Sequence, residues 1–270
     1  MPAPTEFTVK QLRRPIGTPD CPLILDISID PDFDRDPNPI PGAFRHPHKD
    51  VDELQCQINR RDCVITCQQT IKLSQRLVAW LRGDGIVAEH LQGRNYARRD
   101  AIDTIRISAS AIPAFVDKAT LWLTGHRPKI DRIACPWLIR RFVDRKAQFF
   151  FVSSVDVMRV GERNGATPFD IEGVALSHHG QGSTFDAILD TFHLHLPALD
   201  RLARIVSTTD TNRHNGAPET AGLLALSVGL SRQYKDHQQQ LEAGMAIYDA
   251  LCHWLRDGQN EGHGWPQERC

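Results

Sequence analysis

The sequence lacks several features that would place it in a class at once. It has little net charge, since 32 lysine and arginine residues face 33 aspartate and glutamate residues, for a formal net charge of -1. No apolar run approaches the ~20 residues that span a bilayer, and Met1–Pro15 lacks the apolar core of a signal peptide. We therefore expect a cytoplasmic protein that does not cross a membrane and that does not, as a whole, attract nucleic acid.

Paired cysteine motifs are also missing. The seven cysteines are an odd number, are scattered from Cys21 to Cys270, and form no CxxC pair. This pattern argues against a disulfide framework and against a zinc knuckle, and it favours reduced thiols in a reducing compartment. We assign no cofactor to the chain, and its oligomeric state stays open.

What is present is enough apolar sequence for two cores. The chain has 270 residues, of which 41% are hydrophobic and 24% are charged. That length is typical of two domains. The arginine-rich stretch 94–118, with Pro113 near its centre, resembles a connector. We therefore place one domain over residues 1–115 and a second over residues 116–270.

The first domain shows the pattern of a parallel α/β fold. Residues 22–29 and 63–66 are short apolar runs that predict buried strands. Apolar positions at helical spacing predict a helix over 73–82, which ends at Gly83-Asp84-Gly85, and residues 86–91 predict a further strand. This order is a right-handed βαβ unit with flanking helices. Between these elements, the proline-rich stretch 30–43 is expected to lack regular structure.

The second domain begins as α/β and then becomes mainly helical. Strands are predicted over 119–124 and 147–153, on either side of a helix over 131–144 that carries Pro136 in its first turns. From residue 183 onward the apolar spacing changes to that of successive helices, and Pro218 is expected in the first turn of one of them. The fold class is therefore a parallel α/β sheet followed by a mixed α/β and helical domain.

Cys67 lies between a predicted strand and a predicted helix. Backbone N–H groups and the positive end of a helix dipole converge at such a place, which lowers a thiol pKa and favours the nucleophilic thiolate. Lys72 would add positive charge, and the loop would suit a small anion. The alternative is a small apolar cysteine at the end of a strand.

The motifs around Cys67 resemble, in order and spacing, those of the rhodanese superfamily: LILDIS at 23–28, Asp32-Phe33, Ile40–Ala43, CVITCQQTIKLS at 63–74, and LVAWLRGDGIVAEHLQG at 77–93. The resemblance implies that Cys67 accepts sulfur as a persulfide from a small-molecule donor and passes it to a thiol acceptor. It also implies that Asp26 closes the first core strand. The active-site loop would comprise Gln68, Gln69, Thr70, Ile71 and Lys72. The loop departs from the rhodanese pattern at two positions: Thr70 stands where glycine is usual, and Lys72 stands where arginine is usual.

Residues 127–151, RPKIDRIACPWLIRRFVDRKAQFFF, resemble the opening of the C-terminal domain of chromate-resistance proteins of the ChrB type. The similarity continues through Phe169-Asp170, His178 and Asp210 to Met245–Asp249. Taken with the first domain, it implies a sulfurtransferase linked to chromate resistance or redox stress. A sensor or regulator that binds an oxyanion or a partner is the alternative, and no helix-turn-helix with a basic recognition helix supports it.

Polar residues of the second domain suggest a site. Asp131, Arg132 and Cys135 lie near a predicted helix start, where an arginine and N–H donors would suit an oxyanion. Asp131 is equally a good N-cap. We expect Arg132, Cys135, His178 and Asp210 to converge on one pocket, since strand and helix ends gather along one edge of a layered α/β domain.

A metal and a nucleic acid are weaker interpretations of the same domain. His178, Asp210, His214 and Glu219 have the chemistry of first-row metal ligands, but their separation follows no ligand-spacing signature. Buried hydrogen-bonded histidine and capping carboxylates explain them as well, so the metal stays unknown. Arg140 and Arg141 suit either the solvated face of a helix or a basic groove.

Overall fold

The computed structural model of the protein describes residues 5–46, 54, 58, 62–67, 71–92, 107–112, 119–180, 182–213 and 215–262. The chain divides into two compact units. The first comprises Met1–Leu121, Leu138–Gln148 and Thr191–His193, and the second comprises Trp122–Trp137, Phe149–Asp190 and Leu194–Cys270. Most of the predicted connector 94–118 lies outside the described residues. Among the described helices, none is both long and apolar enough to span a bilayer.

The first unit is built on a five-stranded sheet. Its strands are β1 (Glu6–Phe7), β2 (Leu23–Asp26), β3 (Phe44–Arg45), β4 (Cys63–Thr66) and β5 (Ala88–Leu91). They lie in the order β1-β5-β4-β2-β3, and all neighbouring pairs are parallel. The predicted α/β fold class is therefore confirmed, and β4 occupies the centre of the sheet.

Strands β2 and β4 form because their residues, apart from the terminal Asp26 and Thr66, are apolar on both faces. Every residue of either strand is buried. Ile24 and Val64 pack into one apolar cluster, while Leu25 and Ile65 pack into another. Alternate residues of a strand point to opposite faces, so both faces of the sheet are covered. Burial of each such side chain contributes about 1.5–3 kcal/mol.

The helices of this unit that the structure describes from end to end are α1 (Val9–Arg13), α2 (Asp30–Arg35) and α3 (Ile71–Gly83). Helix α3 packs against the sheet through Leu77, Val78 and Leu81, the face that the helical spacing predicts. It ends at Gly83, and the turn that follows places Gly85 at φ +78°, a conformation that glycine adopts without strain.

Helix α2 corrects the prediction that residues 30–43 lack regular structure. Pro31 stands in its first turn, where the missing N–H is not needed, and Asp30 and Asp32 suit the positive end of the helix dipole. Phe33 is buried, and the guanidinium of Arg45 lies 4.4 Å from its ring centroid. The aspartates and the first proline that suggested a loop therefore begin a short helix.

The second unit carries a smaller sheet and most of the helices. Strands β6 (Leu121–Gly125), β7 (Gln148–Val152) and β8 (Thr167–Pro168) lie in the order β7-β6-β8, and β6 is parallel to β8. The described helices are α4 (Ile130–Leu138), α5 (Val157–Asn164), α6 (Thr184–Phe192), α7 (Pro197–Asp210), α8 (Thr220–Gln233) and α9 (His237–His253). The change to helices after residue 183 is thus confirmed.

Two helix details differ from prediction. The helix expected over 131–144 is α-helical only to Leu138 and continues as a π-helical turn over Ile139–Val143, after a proline that cannot donate a backbone hydrogen bond. Pro218 precedes α8, whose N-cap is Glu219, so this proline lies before the helix and not in its first turn.

An aromatic cluster forms the centre of the second unit. Trp137 is fully buried and stacks on Phe185, with 6.4 Å between the ring centroids, and it lies 6.2 Å from the ring of Tyr248. Its Nε1–H donates to Asp249 Oδ1 over 2.8 Å, and Tyr248 Oη donates to the carbonyl of Ile130 over 3.0 Å. These contacts hold helix α4 against α6 and α9.

Candidate functional site

Cys67 follows directly on the central strand of the first sheet. It comes after Thr66, the last residue of β4, and its side chain is buried in the apolar cluster beneath helix α3. Gln68, Gln69 and Thr70 lie outside the described residues. Ile71 and Lys72 are the first two residues of helix α3 and not loop residues, which corrects the extent of the predicted loop.

Asp26 is the last residue of β2, next to Thr66 in the register of the sheet. Its Oδ1 accepts hydrogen bonds from the backbone N–H of Ser28 at 2.9 Å and from the Ser28 hydroxyl at 2.5 Å. The carboxylate therefore shapes the turn that leaves β2. Asp26 thus ends strand β2, the first core strand that the resemblance expects it to close, and it lies beside the end of β4, the strand that precedes Cys67.

The surroundings of four other described cysteines raise their thiol pKa values and so make them poor nucleophiles. Burial, with the charge of Asp62, raises the pKa of Cys63 to about 12, and burial raises the pKa of Cys252 to about 11. Burial also raises the pKa of Cys21 and, together with nearby carboxylates, that of Cys135 well above its ordinary value. These four thiols stay protonated at neutral pH, so they serve as internal comparisons for Cys67.

A second group of polar residues gathers at the carboxyl ends of β6 and β8. The N–H of Phe169 donates to the carbonyl of Leu123 over 3.0 Å, and Asp170 follows at once. Helix α4 begins at Ile130, shortly after β6 ends. The carboxyl edge of neighbouring parallel strands is where α/β sheets place their ligands, so this edge is the candidate site of the second unit.

His178 lies among three carboxylates at this edge. Its Nε2 is 3.3 Å from Asp131 Oδ2, 3.3 Å from Asp170 Oδ1 and 3.3 Å from Asp210 Oδ2. The Asp131 side chain is 1% exposed, whereas that of His178 is 37% exposed. The histidine therefore connects a buried carboxylate to the surface.

Arg132 fixes Asp170 from the other side. Its Nε donates to Asp170 Oδ2 over 2.7 Å, and its Nη1 donates to the carbonyl of His126 over 2.8 Å. Thr184 adds a hydroxyl bond to Asp170 Oδ1 at 2.9 Å. Both oxygens of Asp170 are thus held in place from elements that are distant in sequence.

Asp131 lies inside the first turn of α4, so the alternative in which it is an N-cap is wrong for that helix. Its Oδ2 accepts the backbone N–H of Thr184 at 2.7 Å, and Thr184 begins α6. Its Oδ1 is buried and has no hydrogen-bond partner among the described residues. One oxygen of the Asp131 carboxylate thus accepts a hydrogen bond from the first residue of helix α6, and the other oxygen is left for a different partner.

The charged residues at this edge shift one another's pKa values. The hydrogen bond with Asp131, with the charges of the three carboxylates, raises the pKa of His178 to about 9 against the opposing effect of burial. Burial raises the pKa of Asp131 to about 6, and it also raises that of Asp210. Negative charge is therefore concentrated here beyond what Arg132 and His178 offset.

The structure brings together Arg132, His178 and Asp210 of the predicted pocket, joined by Asp131 and Asp170. Cys135 lies one helical turn after Asp131, is fully buried and does not line the cavity of about 630 Å³ beside the group, although the charges of Asp131, Asp170 and Asp210 contribute to its raised thiol pKa. That cavity is lined by residues 170–175 and 177–179. His214 lies outside the described residues, and Glu219 is the N-cap of α8. Asp170 was not predicted as a site residue, because the strand before it has only two residues and leaves no pattern in the sequence.

Comparison with known proteins covers the second half of the chain. Residues 122–255 match the family described as ChrB, C-terminal domain. Protein ChrB of Cupriavidus metallidurans is 30% identical over 133 residues, which are 48% of this chain and 39% of that protein. The aligned part thus spans about two fifths of its relative.

The structure of SSP1007 from Staphylococcus saprophyticus subsp. saprophyticus is 23% identical and covers 33% of this chain and 87% of that chain, with a TM-score of 0.29. A score this low indicates nothing about a shared fold. The second half of the chain, residues 122–255, is similar to the C-terminal domain of ChrB.

Proposed function

We propose that the protein is a rhodanese-type sulfurtransferase that accepts sulfane sulfur on Cys67. The observation that carries this proposal is the position of Cys67, at the carboxyl end of the central strand β4 and ahead of the 13-residue helix α3. Parallel sheets bind small ligands at this end of their strands. The four other described cysteines have pKa values that burial raises, so none of them competes as a thiolate.

The reaction needs a thiolate, a donor and an acceptor. The Cys67 thiolate attacks the outer sulfur of thiosulfate; a new sulfur–sulfur bond forms, and sulfite leaves with the electron pair of the bond that breaks. An acceptor thiolate then takes the outer sulfur of the persulfide, and the Cys67 thiolate returns. The start of α3 stabilises negative charge during both steps through its dipole. Sulfur is transferred without any outside oxidant.

We also propose that this activity serves chromate resistance or the response to redox stress. The support is the similarity of residues 122–255 to the C-terminal domain of ChrB. The aligned region is 39% of that relative, so the proposed link to chromate resistance rests on the shared region and not on the whole of ChrB.

Intact mass of the full chain tests the transfer. After incubation with thiosulfate and removal of the donor, we expect a mass increase of one sulfur atom, and peptide mapping should locate it on Cys67. A thiol added afterwards should restore the original mass. Absence of any sulfur adduct with thiosulfate or with a polysulfide donor would contradict catalysis and would leave the non-catalytic sensor as the better hypothesis.

Lys72 is expected to assist the donor without supporting the fold. It is exposed in the first turn of α3, where a cation is unfavourable for the helix dipole. Lys72→Ala should therefore lower kcat/KM for thiosulfate by about three- to tenfold, because an attraction for the anion is lost. The melting temperature should stay constant or rise slightly.

Arg76→Ala provides the matched control, since Arg76 is exposed one turn later on the same helix. It should leave kcat/KM unchanged in the same assay. Equal losses in the two variants would mean that general surface charge, and not a specific contact of Lys72, attracts the donor.

A further inference from the structure

The hydrogen-bond geometry of His178 is poor for a simple ion pair. A single Nε2 atom lies 3.3 Å from oxygens of three different carboxylates. One N–H points to one acceptor at a time, and a charge-assisted bond of this type shortens to about 2.7–2.9 Å. The three equal and longer distances therefore do not describe one strong hydrogen bond.

The same distances suit ligands around a small cation. Two ligand atoms that each lie about 2.1 Å from an ion are separated by about 3.0 Å at a right angle and about 3.4 Å at the tetrahedral angle. The His178–carboxylate distances of 3.3 Å fall in this range. One ligand atom each from Asp131, Asp170 and His178 lies within 4.8 Å of the others.

A second, independent observation concerns Asp131. Its side chain is 1% exposed, yet its Oδ1 has no hydrogen-bond partner among the described residues. A buried carboxylate oxygen without a partner is costly, so such an atom calls for an explanation such as a bound ion. It belongs to the same carboxylate whose Oδ2 contacts His178.

The balance of charge points the same way. Asp131, Asp170 and Asp210 carry three negative charges around the histidine, and Arg132 offsets one of them. A protonated His178 would leave the group negative, whereas a divalent cation beside a neutral imidazole would bring the sum to zero. Of these carboxylates, Asp131 is only 1% exposed, and a buried charge is costly unless it is paired or coordinates a metal, so a cation beside Asp131 is favoured.

We propose that Asp131, Asp170 and His178 bind a first-row divalent cation, with Asp210 at the rim of the site. Imidazole and carboxylate together suit such ions. Arg132 and Thr184 hold Asp170 in orientation, as neighbouring hydrogen bonds do for metal ligands. Asp170 and His178 also line the cavity of about 630 Å³, which gives the ion access to solvent and to further ligands.

Binding of Mn²⁺ and of Zn²⁺ to the chelator-treated full chain tests the site by equilibrium dialysis and thermal melting. We expect at least one of the two ions to bind at one per chain and to raise the melting temperature. His178→Asn should weaken this binding at least about tenfold. His179→Asn, the neighbouring exposed histidine that lines the same cavity, should bind like the wild type.

The comparison of variants separates this site from adventitious binding at thiols, which would persist in His178→Asn. Stoichiometric binding that is lost only in that variant supports the site. Binding of neither ion, or equal binding in all three proteins, overturns it and leaves a salt-bridge network. Should His178→Asn fail to fold, NMR of the wild type decides instead: Mn²⁺ should broaden the His178 ring signals or Zn²⁺ should shift them, and ring signals that neither ion changes would overturn the site.

Discussion

Cys67→Ser should abolish sulfur transfer while the protein stays folded. A serine hydroxyl does not form a persulfide, so removal of the thiol eliminates the covalent intermediate, and turnover should fall by more than about a thousandfold. Serine is close to cysteine in size, and Cys67 is 9% exposed, so the buried hydroxyl should cost about 1–2 kcal/mol of stability at most. Steady-state turnover with thiosulfate and a small thiol acceptor measures the first effect, and thermal melting measures the second.

Cys63→Ser is the matched control for this substitution. Cys63 lies on the same strand and is 2% exposed, and burial raises its thiol pKa to about 12. The control should therefore lose similar stability but keep its turnover. If Cys67→Ser kept wild-type turnover, or if Cys63→Ser lost it at equal stability, Cys67 would not be the sulfur carrier.

Trp137→Ala should destabilise the second unit by about 3–5 kcal/mol. The indole is fully buried, stacks on Phe185 and donates to Asp249, so the substitution leaves a large cavity and removes the hydrogen bond to Asp249. Helix α4 carries both Asp131 and Arg132, so binding at the candidate site should weaken in parallel. Chemical denaturation followed by far-ultraviolet circular dichroism measures the change in free energy of unfolding.

Two further tryptophan variants serve as comparisons for Trp137→Ala. Trp137→Phe keeps an aromatic ring but loses the bond to Asp249, and it should cost about 2 kcal/mol. Trp80→Ala removes an indole that is 39% exposed on helix α3, and it should cost less than about 1 kcal/mol. Equal losses at Trp80 and Trp137 would show that the aromatic cluster does not hold the second unit together.

Local periodicity accounts for the parts of the fold that were predicted well. Strand β4 has the predicted bounds, and helix α3 differs by one or two residues at its ends, because apolar spacing is set by neighbours in sequence. Helix α2 was missed because prolines and aspartates are typical both of loops and of helix starts. Strand β1 was missed because two residues contain no period, and its partner is distant in sequence.

The candidate site of the second unit depends on contacts that spacing does not reveal. Asp131 and Thr184 are 53 positions apart and share a hydrogen bond of 2.7 Å. The rule that strand and helix ends meet at one sheet edge was enough to group Arg132, His178 and Asp210. It did not identify Asp170, since strand β8 has only two residues and its pairing with β6 becomes visible only in three dimensions.

The order of strands in the first sheet has a consequence for synthesis on the ribosome. Strand β1 pairs with β5, so that Glu6 lies beside His90, whereas β2 pairs with β4. Among the described strands of this sheet, β1 therefore cannot pair until β5 has been synthesised, and closing so long a loop has an entropic cost. The pair β2–β4 is complete earlier, so we expect it to form the template on which β5 and then β1 assemble during translation.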